Sequence, residues 1–132
     1  MKKYKLNNLH KKAEDARKNA YAPYSELKVG AALQVEKGKI FTGCNIENAS
    51  FGLTMCAERV AVFKAVSAGY CNFEVIYIIA DTKNPISPCG ACRQVLSEFD
   101  PEVNIIMSNL NRDRKMVTAE ELLPFSFEKG DL

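Results

Sequence analysis

Apolar side chains at Leu6, Leu9, Ala13, Ala16 and Ala20 recur every three or four positions, so the chain opens with an amphipathic helix over Leu6 to Asn19. Tyr21-Ala22-Pro23-Tyr24 ends it, because a proline disfavours helical backbone at the residue before it. Val29 to Val35 is a nearly continuous apolar run and reads as a buried strand. Glu36-Lys37-Gly38-Lys39 is a turn, and Ile40 to Cys44 is the returning strand. Asn45 to Thr54 is polar and reads as a loop. Ala57 to Ala68 is a helix stopped by Gly69, apolar on most sides and therefore expected to be buried. Val75 to Ala80 is a third strand. Gly90 to Phe99 is a helix with Cys92, Val95, Leu96 and Phe99 along one face, ended by Asp100-Pro101. Val103 to Met107 is a fourth strand. Thr118-Ala119-Glu120-Glu121 has the capping-box pattern and opens a short helix through Leu123, closed by Pro124. Strands alternating with helices after an opening hairpin imply a mixed sheet covered by helices.

Length and composition narrow the picture. The 132 residues suggest one domain, and 47% hydrophobic content is enough for a core. A net charge of +2 with scattered charges argues against a nucleic-acid or anionic-membrane surface. Met1 to Ala20 lacks the apolar centre of a signal peptide, and no apolar run approaches a membrane span. A soluble, cytoplasmic protein is the expectation. Five cysteines, an odd number, argue against a disulfide framework.

The chemistry is carried by Cys56-Ala57-Glu58 and Pro88-Cys89-Gly90-Ala91-Cys92. Both motifs fall at helix starts, where the helix dipole and unpaired N–H groups favour thiolate over thiol. Three thiolates fill three corners of a zinc tetrahedron and leave the fourth for water, the layout of a catalytic site. Glu58 is close enough to share that site without being a ligand. Three thiolates on one divalent zinc leave an excess negative charge, and Arg59 is the candidate to offset it by hydrogen bonding to sulfur. Cys-x-x-Cys alone fits redox sites and structural zinc equally. Cys44 or Cys71 as a fourth ligand would make the site structural, although each reads more simply as a free thiol. His10, the only histidine, sits among charged residues and reads as a surface residue.

At these residues the chain resembles the short, single-domain cytidine deaminases. The resemblance runs through Tyr21-Ala22-Pro23-Tyr24-Ser25, Val29-Gly30-Ala31-Ala32, Gly43-Cys44-Asn45-Ile46-Glu47-Asn48, Ser87 to Gln94 and Glu121-Leu122-Leu123-Pro124, nearly the whole chain in order. It implies a three-layer α-β-α fold around a mixed five-stranded sheet. It implies that Cys56, Cys89 and Cys92 bind one zinc, and that Glu58 moves protons from water to ring N3 and the departing amine of a cytosine nucleoside. It assigns Asn45 and Glu47 to the ribose and backbone groups around Ala57 to the pyrimidine. Asn45 with Glu47 also separates the chain from blasticidin-S deaminases, the nearest alternative. Leu27 stands where many relatives place a phenylalanine on the base, and Phe51 where they often carry tyrosine. Phe127 matches an aromatic that reaches a neighbouring subunit's site, with Phe125 two residues away. A homotetramer acting on free pyrimidine nucleosides in salvage follows from the resemblance alone.

Overall fold

The computed structural model describes residues 4–132. Helix α1 (Leu6–Arg17) is followed by strands β1 (Val29–Val35) and β2 (Ile40–Cys44), helix α2 (Ala57–Ser67), strand β3 (Phe73–Ala80) and helix α3 (Gly90–Phe99). Strands β4 (Asn104–Asn109) and β5 (Arg114–Thr118) and the short helix α4 (Ala119–Leu122) complete the order. The sheet order is β2-β1-β3-β4-β5, with β3 and β4 parallel and every other neighbouring pair antiparallel.

Strand side chains alternate across the sheet, and each face has its own core. Ala31, Leu33, Ile76, Ile78, Ile105 and Met107 point toward α2 and α3, packing with Ala57, Ala61, Val62 and Leu96. Ala32, Val75, Tyr77, Ile79 and Ile106 point the other way, against Leu9 and Ala13 of α1. The result is the three-layer arrangement. Each fully buried aliphatic side chain contributes roughly 1.5–3 kcal/mol, so both faces are needed to hold the layers together. Gly30 permits the tight docking of α1 on β1, since a Cβ there would collide with the Ala13 carbonyl.

Four expectations are revised. Helix α1 ends at Arg17 rather than Asn19, because Lys18, Asn19 and Ala20 close the turn with N–H bonds three residues back. Helix α2 is buried on one side only: Phe63 is exposed and Val60 half-buried, so its apolar outer face is solvent-facing in the monomer. The strand read as Val103 to Met107 runs Asn104–Asn109, and β5 escapes the apolar pattern because Arg114 to Thr118 is a polar edge strand with partly exposed side chains.

The fourth concerns His10, which is buried rather than on the surface. Its Nδ1 lies 2.6 Å from the Tyr77 hydroxyl, and Arg114 Nε donates to that same oxygen at 2.8 Å. Arg114 takes one of the hydroxyl's two acceptor sites, and the hydroxyl bonds His10 Nδ1 as donor or as acceptor according to the imidazole tautomer. The capping box on α4 forms as expected, with Thr118 Oγ1 accepting from Glu121 N and Glu121 accepting from Thr118 N.

Candidate active site

Residues 45–56 are positioned by a three-way junction. Ile46 bridges Tyr21 in parallel sense and Met55 in antiparallel sense. That pairing brings the start of the α1–β1 loop, Asn45–Glu47 and the approach to Cys56 side by side. Cys56 is the residue before α2 and Cys89 the residue before α3, so two helix N-termini converge. Their partial positive charge is available to stabilise thiolates.

Cys56 Sγ lies 3.7 Å from Cys89 Sγ, which lies 3.4 Å from Cys92 Sγ, and all three fall within 4.8 Å of one another. Sulfurs about 2.3 Å from one tetrahedral zinc sit about 3.8 Å apart, so the triad fits a single ion. Cys44 and Cys71 are not part of this cluster, the one metal-holding group among the described residues.

The electrostatics point the same way. The Cys56 thiol is pulled down to about 5, first by its hydrogen bond with Cys92 and then by those with Arg59 and Cys89, against the opposing effect of burial. Cys92 is pushed up, because it holds the proton of the Cys56 hydrogen bond and is buried. Thiolates this close repel one another, and a cation among them is what favours their ionisation. Arg59 Nη2 donates to Cys56 Sγ at 3.5 Å, and Arg59 Nε is buried without a hydrogen-bond partner. The guanidinium is therefore seated at the sulfurs.

Glu58, in the first turn of α2, is 5% exposed. Burial pushes its carboxyl up to about 7; the Cys56 charge adds to the shift, while its own backbone N–H, Arg59 and Cys92 oppose it. A carboxyl in that range takes and gives a proton with comparable ease near neutrality.

A cavity of about 280 Å³ opens onto this cluster. Leu27, Asn45, Glu47, Ala57 and Glu58 line it together with Cys56 and Cys89. Asn45 is buried; its Oδ1 accepts from Val29 N and its Nδ2 donates to Leu27 O, each at 2.8 Å. Glu47 Oε1 accepts from Tyr24 N at 3.0 Å and Ser25 N at 3.1 Å. Its carboxyl is held below the usual range, chiefly by the Ser25 hydroxyl.

Two of the candidate residues lie elsewhere. Phe51 is 76% exposed and borders an adjoining cavity with Tyr24, whose ring it meets edge-on at 6.2 Å. Phe127 lies against α3, where Gln94 Nε2 donates to its carbonyl at 2.9 Å, and it does not line this chain's cavity. Sequence reasoning assigned no role to Ser25, Ile86 or Ser87, which also line it. Ser25 and Ser87 lay inside quoted motifs, whereas Ile86 carries no local signal.

Comparison with known proteins agrees. A family model described as the cytidine and deoxycytidylate deaminase zinc-binding region matches residues 3–108. A cytidine deaminase of Halalkalibacterium halodurans is 50% identical over 125 residues, 94% of this chain and 95% of that protein. One of Sporosarcina psychrophila is 48% identical over 128 residues, 96% of this chain and 94% of that protein. A crystal structure of cytidine deaminase from Burkholderia pseudomallei superposes with a TM-score of 0.91 at 47% identity, covering 94% of this chain and all of that one.

Proposed function

The chain belongs to the cytidine and deoxycytidylate deaminase family, and on that premise we propose that it deaminates cytidine and 2′-deoxycytidine hydrolytically, yielding uridine or 2′-deoxyuridine and ammonia. The reading rests on one juxtaposition: a buried carboxyl, Glu58, beside three thiols that fit one zinc, at a nucleoside-scale cavity. Ligand cavities run from roughly 300 Å³ upward, and this one lies at the small end of that range.

Cys56, Cys89 and Cys92 would hold the zinc, which when bound would supply a water acidic enough to attack at neutral pH. Glu58 accepts a proton from the attacking water and delivers it to ring N3. It then takes the proton of the new C4 hydroxyl and carries it to the departing amine. The C4–O bond forms, the C4–N bond breaks and ammonia leaves. One carboxyl serves as base and then as acid, and burial raises its proton affinity toward the range that suits both roles. Arg59 offsets the sulfur charge, and Ala57 presents its backbone to the pyrimidine. Leu27 covers the base, while Asn45 and Glu47 face the sugar.

The same reading includes a homotetramer of pyrimidine salvage working in the cytoplasm. Support for assembly is the exposure of Phe127 and Phe125, together with the uncovered apolar face of α2. Support for a reducing compartment is the set of unpaired thiols. Among the described residues no helix is long and apolar enough to cross a membrane.

The test is ultraviolet absorbance of cytidine, deoxycytidine, cytosine, CMP and blasticidin S with metal-assayed protein. Loss of cytidine and deoxycytidine alone, with about one zinc per chain, is the expected result. Turnover of blasticidin S alone, or full zinc with no turnover, would overturn the assignment.

A further inference from the structure

Three donors converge on the Glu47 carboxylate, and two of them come from Ser25. Oε1 takes the N–H groups of Tyr24 and Ser25, at 3.0 and 3.1 Å, and Oε2 takes the Ser25 hydroxyl. The hydroxyl is itself oriented. Ser25 Oγ accepts from Leu27 N at 3.1 Å, which turns its single hydrogen toward the carboxylate. A carboxylate offers about four lone-pair sites, of which three are taken, and the last is on Oε2. Asn45 ties the same segment from the other side, through Leu27 O and Val29 N.

We propose that Ser25 is a positioning residue that locks the Glu47 carboxylate so that one acceptor site, on Oε2, is offered to a sugar hydroxyl. Ser25 thereby makes the enzyme discriminate nucleosides that carry ring hydroxyls from those that lack them. This rests on the deaminase reading given above. The serine's effect is confined to ground-state and transition-state binding of the sugar, since it touches neither Glu58 nor the thiols. The low proton affinity of Glu47 is consistent with it, because the carboxylate stays charged and keeps its acceptor at neutral pH.

The experiment compares the zinc-loaded wild type with Ser25→Ala and Ser25→Thr, using cytidine and 2′,3′-dideoxycytidine as substrates. Calorimetric titration with uridine and with 2′,3′-dideoxyuridine runs alongside. In Ser25→Ala, KM for cytidine should rise about tenfold while kcat changes far less, the pattern of lost uniform binding. Uridine binding should weaken to match. The penalty should vanish for both dideoxy compounds, and Ser25→Thr should restore wild-type values because it keeps the hydroxyl. An equal penalty on the dideoxy compounds, or none on cytidine and uridine, would overturn the proposal. A wild type that turns over no cytidine would instead sink the deaminase reading, and the titrations would still decide whether Ser25 governs sugar recognition.

Discussion

Gly43 of β2 lies so close beneath the first turn of α2 that a Cβ placed on it would sit 2.5 Å from the Ala57 carbonyl oxygen and 2.7 Å from Ala61 N. The helix that starts with Ala57 is the one preceded by Cys56 and carrying Glu58 and Arg59. A hydrogen atom in place of a side chain on β2 thus sets the height of α2 over the sheet. Gly43→Ala should lift that end of α2, at a cost of about 1–3 kcal/mol for overpacking. Thermal melting together with zinc content should both fall. An unchanged melting point would mean that the backbone has slack at this contact.

Replacing Glu58 should separate chemistry from metal binding. Glu58→Gln keeps the shape and the burial but cannot exchange a proton. Activity should drop by at least the roughly 10²–10⁴-fold that general acid–base catalysis contributes, while zinc stays near one per chain. Near-normal turnover in this variant would remove Glu58 from the mechanism.

The base pocket offers a gain-of-function test. Leu27 lines the cavity and its backbone carbonyl is pinned by Asn45. An aromatic ring there would stack on the pyrimidine, an interaction of about 0.5–1.5 kcal/mol beyond area burial. Leu27→Phe should therefore lower KM for cytidine by roughly two- to tenfold. Steady-state kinetics check this, and an unchanged KM would place Leu27 outside the base contact.

Stability should fall in acid through His10. Its pKa is lowered from 6.5, first by burial and then by Arg112, against the opposing pull of Glu14. Below pH 6.5 the unfolded chain binds the proton that the folded chain refuses, so the contribution is complete above 6.5 and is lost as pH drops toward the folded pKa. Urea unfolding should show a weaker fold at pH 5.5 than at pH 7.5, with part of that difference absent in His10→Gln. Tyr77→Phe should cost about 1–3 kcal/mol at either pH, because it strands His10 Nδ1 and Arg114 Nε.

The C-terminal segment tests assembly. Its exposed aromatics make few contacts with their own chain, so a deletion after Pro124 should leave the monomer fold intact. Sedimentation and activity assays should show weakened assembly or a raised KM. A truncated protein that stays tetrameric and fully active would rule out a role for Phe127 in a neighbouring site.

Local physics was legible in the residues themselves. The i, i+3 spacing of Cys89 and Cys92 puts both thiols in reach of one helical start, whatever the rest of the chain does. The bounds of β1, β2 and α3 and the capping box at Thr118 were readable for the same reason, since periodicity and caps are properties of neighbouring residues. What lay beyond reach depended on partners distant in sequence. Cys56 was paired with Cys89, 33 positions on, from the two motifs, but the contact itself exists only because α2 and α3 pack on one face of the sheet. His10 is buried because Tyr77, 67 positions away, points at it from β3. The same holds for β5, a polar edge strand that exists through its ladder with β4 rather than through any pattern of its own. Sequence by itself determined which groups could do the chemistry. The packing of two helix starts against a sheet decided that they stand together, because side-chain burial and charge depend on what the fold brings within a few ångströms.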